Sequence, residues 1–148
     1  VSEKPPRKPN PRTLARQRAL QALYQWRIGG QPLRLIETQF FEEEDMQGVD
    51  VAYFQQLLHQ IPAQAKELDA ALAPLLDRPV QRLDPVEHAA LHIGLYELRS
   101  CLEVPWKVAI NEAVELAKLF GAEQSHKYVN SILDKAALQR ADRQVARN

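Results

Sequence analysis

Residues 84–98 read DPVEHAALHIGLYEL, and this stretch limits the possible folds more than any other. Asp84 is an N-cap acceptor, Pro85 suits the first helical position, and Glu87 stands three residues after the cap. The residues that follow are apolar nearly all round. A helix without a polar face must be covered on every side, so a helix over about 85–100 lies at the centre of the molecule. What surrounds it is also helical. Leu occurs 20 times, Ala 19 and Gln 14, whereas Val, Ile and Thr together number 18 and Gly only 5. The fold class is therefore all-α, a compact bundle of about six to seven helices around that central one.

The remaining helices follow from periodicity and punctuation. The first is expected over about 12–28, with Ala15, Ala19, Leu20, Leu23 and Trp26 inward and Gly29-Gly30 ending it. A second spans about 32–44 with Leu33, Ile36, Phe40 and Phe41 inward. A third starts at the Asp50 cap and continues to about Leu76, bent at Pro62. Val51, Phe54, Leu57, Leu58, Ile61, Ala65, Leu68 and Leu72 form its stripe. After Val104-Pro105 come helices over about 106–120 and 123–138.

The chain of 148 residues is long enough for one domain with its own core. It divides into a Pro-rich basic arm over 1–11, a helical domain over 12–138 and a basic, frayed tail over 139–148. No run of apolar residues is long enough to span a membrane, and the start lacks the apolar stretch of a signal peptide. With the single Cys101, no internal disulfide can form, and a cytoplasmic location is expected. Cys101 itself reads as a small, partly buried residue.

No nucleotide-binding glycine motif or nucleophile elbow occurs, so no catalytic residue is assigned and the chain is not expected to be an enzyme. His88 and His92 lie one turn apart and can share a metal, with a third ligand from His59 or His126. Their order, Glu-His-x-x-x-His, is not the zinc-protease order. The preferred reading has one histidine packed at the edge of the central helix and the other solvated, with no metal or cofactor. The acidic run Glu42-Glu43-Glu44-Asp45 reads as a solvated helix end.

The formal net charge is zero, but its distribution is uneven. Residues 1–18 carry Lys4, Arg7, Lys8, Arg12, Arg16 and Arg18 against Glu3, a net of +5. Residues 37–50 carry six acids and no base, and residues 135–148 have a net of +3. A basic arm running into a helix with Arg12 and Arg16 one turn apart, and both exposed, suits phosphates. Tyr24, two turns further on, offers a stacking surface for single-stranded bases.

Longer motifs sharpen this. VEHAALHIGLYEL, then VPWKVAINEAVELAKLFGAEQSHKYVNSILDKAA, together with ARQRALQALYQW and VDVAYFQQLL, resemble the NusB family of bacterial transcription antitermination factors over about residues 12–137. The resemblance implies two packed helical subdomains and no catalysis. It also implies binding of single-stranded boxA-like RNA together with a small-subunit ribosomal protein (NusE). That pair would act on the RNA polymerase elongation complex with other Nus factors, chiefly during ribosomal RNA transcription.

Matched residue by residue, the RNA-binding set is Arg12, Arg16, Tyr24, Glu87, Lys118, Phe120, Lys127 and Tyr128, with Lys4, Arg7 and Lys8 of the arm added. Val108, Ile110, Val114, Leu116, Val129 and Leu133 read as core, and Asn111 and Asn130 as helix-fixing hydrogen bonders. Thr13 and Leu14 interrupt the family's opening arginines. Gln124, Tyr128 and Ser131 stand where an acid, phenylalanine and glycine are usual. A NusB-like domain of an RNA cytosine methyltransferase is the alternative, and it would require a further cofactor-binding domain.

Overall fold

The computed structural model describes residues 9–147, which form eight α-helices and no strand. They are α1 (Pro11–Gly29), α2 (Leu33–Glu43), α3 (Val51–Ala63), α4 (Ala65–Leu72), α5 (Pro85–Ser100), α6 (Trp106–Phe120), α7 (Ser125–Ala136) and α8 (Ala141–Arg147). Lys4, Arg7 and Lys8 lie outside the described residues. No described helix is long and apolar enough to cross a membrane.

Helix α5 is the predicted centre. Every residue from Glu87 to Leu98 is buried, and α5 packs against α1, α3 and α4 on one side and α6 and α7 on the other. The Asp84 carboxylate accepts from the backbone N–H of Val86 and Glu87 at 2.8 and 3.2 Å. Such a cap contributes about 0.5–2 kcal/mol. Gly94 lets α7 approach, because a Cβ there would lie 2.5 Å from a Leu133 methyl and 3.1 Å from Ala113 Cβ. One apolar cluster unites the elements, with Leu20, Leu23, Ile36, Phe40, Phe54, Leu57, Ile93, Ile132 and Leu133 all inside.

Several boundaries differ from expectation. Asn10-Pro11 repeats the Asp84-Pro85 device, with Asn10 Oδ1 accepting from the Thr13 N–H at 2.7 Å. Helix α1 therefore begins where the arm was expected to end. Pro62 does not merely bend a long third helix, which closes at Gln64 and restarts as α4. Gly30 closes α1 in the left-handed conformation, φ 66°, as the Gly-Gly pair predicts. Phe41 and Val51 are exposed rather than inward, because each falls outside the apolar stripe once its helix is placed.

The C-terminal segment is the largest departure. Expected to fray, it returns to the core. The buried Arg140 guanidinium donates to the carbonyls of Glu97, Leu98, Leu102 and Val104 at 3.5, 3.2, 3.2 and 2.6 Å. The Glu97 carbonyl also accepts from the Cys101 N–H at 3.0 Å, whereas carbonyls beyond it lack an i+4 donor in the helix, and a cation there also complements the helix dipole. Arg143 donates to the Asp134 carbonyl at 2.7 Å, and its guanidinium lies 4.5 Å from the Trp106 ring centre. Asp142 accepts from the Trp106 N–H at 3.0 Å.

Candidate nucleic-acid interface

Helices α1 and α6 run side by side: Thr13 and Arg16 of α1 reach Glu112 of α6, and further along Leu20, Gln21 and Tyr24 share a cavity with Phe120. At the start of α1, Arg12 lies 4.1 Å from the Tyr53 ring centre, with Asp50 at 3.9 Å and Glu103 at 3.7 Å. It remains half-exposed and borders an open cavity of about 410 Å³ with Asn10, Pro105 and Val108. A wider groove of about 1050 Å³ continues along both helices past Thr13, Gln17, Asn111, Glu115 and Lys118. At the far end a third cavity of about 390 Å³ is lined by Leu20, Gln21, Tyr24, Gln25, Val86 and Phe120.

Arg16 corrects the expectation of exposure. It is 3% exposed, its Nε donates to Glu97 Oε2 at 2.8 Å, and its Nη1 lies 3.3 Å from Glu112 Oε1. Tyr53 Oη donates to the same Glu97 oxygen, and Thr13 Oγ1 donates to Glu112 at 2.7 Å. Burial pushes the Glu97 carboxyl upward, while Arg16 and Tyr53 hold it back. Glu97 Oε1 is buried with no hydrogen-bond partner among the described residues. The guanidinium of Arg16 is thus committed inside the protein, joining α1, α3, α5 and α6.

The aromatic part of the expected set does converge. Tyr24, 40% exposed on α1, and Phe120, at the end of α6, line the same cavity. Lys118 is exposed in the wider groove, with Glu115 at 3.3 Å. Lys127 is exposed on the first turn of α7 and forms no ion pair among the described residues. Tyr128 donates its hydroxyl to Asp77 at 2.9 Å, and the Arg78 guanidinium covers its ring at 4.5 Å. Glu87 is nearly buried, and its carboxyl is raised first by burial and then by Asp84.

Asp77 and Arg78 went unpredicted. They lie between two short turns, Ala73–Leu75 and Val80–Arg82, where no periodicity marks a face. Three other expectations change. Val108 is exposed and lines the groove rather than the core. Asn111 and Asn130 are exposed and make no side-chain hydrogen bond among the described residues. Ile110, Leu116, Val129 and Leu133 are buried as expected, and Val114 is partly so.

The histidine pair also differs. His92 is fully buried and His88 nearly so, and neither is solvated. Their partner is Asp69 of α4, not His59, which pairs with Glu37 at 2.8 Å.

The sequence model of the NusB family matches residues 13–138. The chain belongs to the NusB family. It is 47% identical over 137 residues to the transcription antitermination protein NusB of Mannheimia succiniciproducens, covering 93% of this chain and 96% of that one. It is 52% identical over 128 residues to the NusB of Nitrosococcus oceani, covering 86% of each. Among solved structures, T. maritima NusB (P3121, form 2) superposes with a TM-score of 0.76 at 27% identity, covering 95% of this chain and all of that one. A chain in "Crystal Structure of a Plectonemic RNA Supercoil" does so with a TM-score of 0.75 at 25% identity, covering 84% and 91%. NusB is a family of transcription factors rather than enzymes.

Proposed function

We propose that this protein is an antitermination factor that binds single-stranded, boxA-like RNA together with the small-subunit ribosomal protein NusE, on the elongating RNA polymerase and chiefly on ribosomal RNA operons. The action takes place in the cytoplasm. The observation that carries the reading is the pairing of Tyr24 and Phe120 on one cavity, with the exposed Lys118 lining the groove between the same two helices. Aromatic faces accept unstacked bases, and flanking cations follow the backbone between them. The antitermination proteins named NusB that this chain resembles over most of its length support the assignment.

In this reading Tyr24 and Phe120 hold bases, while Lys118 and Lys127 meet phosphates. Arg12 extends the track along the groove, with Lys4, Arg7 and Lys8 beyond it. Tyr128 borders the face while held by Asp77 and Arg78. Glu87 and Arg16 contribute from inside, by fixing the start of α5 and the junction of α1 with α5 and α6.

The deciding experiment is an RNA gel shift with a boxA-like oligonucleotide and a scrambled control, each with and without NusE. The expected result is selective binding of the boxA-like RNA, strengthened by the partner. Equal binding to both RNAs with the partner present would overturn the specific role. If three to five phosphates are neutralised, the log–log salt slope should be about −2 to −3.5.

A further inference from the structure

Asp69 of α4 and His88 and His92 of α5 bring three metal-ligating atoms within 4.8 Å of one another. We propose that they form a binding site for a single first-row divalent cation of the zinc class, with a structural rather than a catalytic role. His88 Nε2 and His92 Nε2 both point at one oxygen, Asp69 Oδ1, at 2.7 and 2.6 Å. The imidazoles sit one turn apart on the buried central helix, with ring centres 4.4 Å apart. Tetrahedral zinc with nitrogen and oxygen ligands about 2.0–2.1 Å away spaces those ligands about 3.3 Å apart. The two imidazole–carboxylate edges therefore have to open by about 0.6–0.7 Å, and the edge between the imidazoles already lies within 4.8 Å. The Asp69 side chain is one-third exposed, which leaves an open side for a water as the fourth ligand.

The hydrogen-bond pattern suits a metal. Both imidazole Nε2 atoms converge on the Asp69 carboxylate, so the site offers two imidazoles and one carboxylate. Without metal, Arg27 Nη2 donates to His92 Nδ1 at 3.1 Å, which assigns the ring proton to Nε2. When metal binds Nε2, that proton moves to Nδ1, and His88 undergoes the same exchange. Each imidazole stays neutral and no proton is released. The Arg27 guanidinium must then leave Nδ1. Its Nη1 is already buried with no hydrogen-bond partner among the described residues, so it has little to lose by turning outward.

This gives Arg27 a distinctive part. It opposes the metal, by its charge and by donating where a metal-bound imidazole must itself donate. The bound ion would clasp α4 to α5 across the core.

The test is calorimetry of the full chain, stripped of metal, with zinc, together with visible spectroscopy of the cobalt-loaded protein. One cation per chain is expected, with the intense visible bands of tetrahedral cobalt, a binding heat independent of the buffer's own ionisation, and a Tm that rises with zinc. Asp69→Asn and His88→Gln should each weaken binding at least about tenfold. Arg27→Gln should tighten it, and His59→Gln should leave it unchanged. Circular dichroism checks the fold of each variant. Should His88→Gln fail to fold, the partly exposed Asp69→Asn carries the test. Three results would each overturn the site: no saturable binding, affinity indifferent to Asp69→Asn, or weaker binding in Arg27→Gln.

Discussion

Arg16 near the start of α1 and Lys118 near the end of α6 both bring a cation to the seam between those helices, yet the fold treats them oppositely. Arg16 lies where α1 crosses α5, and two carboxylates and a tyrosine ring enclose it. Lys118 lies where the seam opens to solvent, and its only partner among the described residues is the exposed Glu115 at 3.3 Å. At the first end charge is consumed in holding helices together, whereas at the second it sits in a solvent-exposed pair that a ligand can displace. Arg140 and Arg143 repeat the first pattern at the other terminus. A basic residue near a chain end is therefore not by itself a phosphate site. What counts is whether carboxylates and carbonyls reach it first.

Five variants test that contrast. Arg16→Ala should have the largest effect. It strands Glu97 in an enclosed site, and removing one partner of a buried pair costs about 3–5 kcal/mol, measurable by urea denaturation. An unchanged midpoint would place Arg16 with the ligand-facing group after all. Arg140→Ala removes the cation from the end of α5 and should cost about 2–3 kcal/mol, since hydrogen bonds to charged groups contribute more than neutral ones. Thermal melting reads it, and a loss below measurement error would restore the picture of a frayed tail.

At the open end the effects should move from stability to binding. Tyr24→Ala should weaken RNA binding by about 1–3 kcal/mol if a base stacks there, with little change in Tm. A stability loss without an affinity loss would return Tyr24 to the core. Lys118→Ala and Lys127→Ala should be mildest. Each should flatten the log–log salt slope by about 0.7, the value for one phosphate of a single strand, and shift stability by less than about 0.5 kcal/mol. Salt titration of RNA affinity checks both.

The helices were legible in the sequence because their determinants are local. Asp84-Pro85, Asp50 and Gly30 cap or end helices through neighbours within a turn, and all three act as read. Asn10-Pro11 carries the same signal, but the proline-rich arm that runs up to it hides the helix start. The face was only partly legible. Tyr24 could be placed beside a basic strip by helical spacing, and Phe120 came from family motifs. That the two share a cavity depends on the side-by-side course of α1 and α6. Arg78 and Asp77 had no periodic pattern to mark them, although they hold Tyr128.

By itself, the sequence determined an all-helical chain wrapped around the apolar run at 85–100, because helix hydrogen bonds, caps and stripes connect residues three or four apart. Only the tertiary structure decided which charges are consumed and which remain. Arg16 meets Glu97, Arg140 meets the end of α5, and His88 and His92 meet Asp69 across distances in sequence that no local pattern encodes. Such pairings form only where packing has already excluded water. A side chain's charge can be read from its letter, but its partner depends on which helices the core brings into contact.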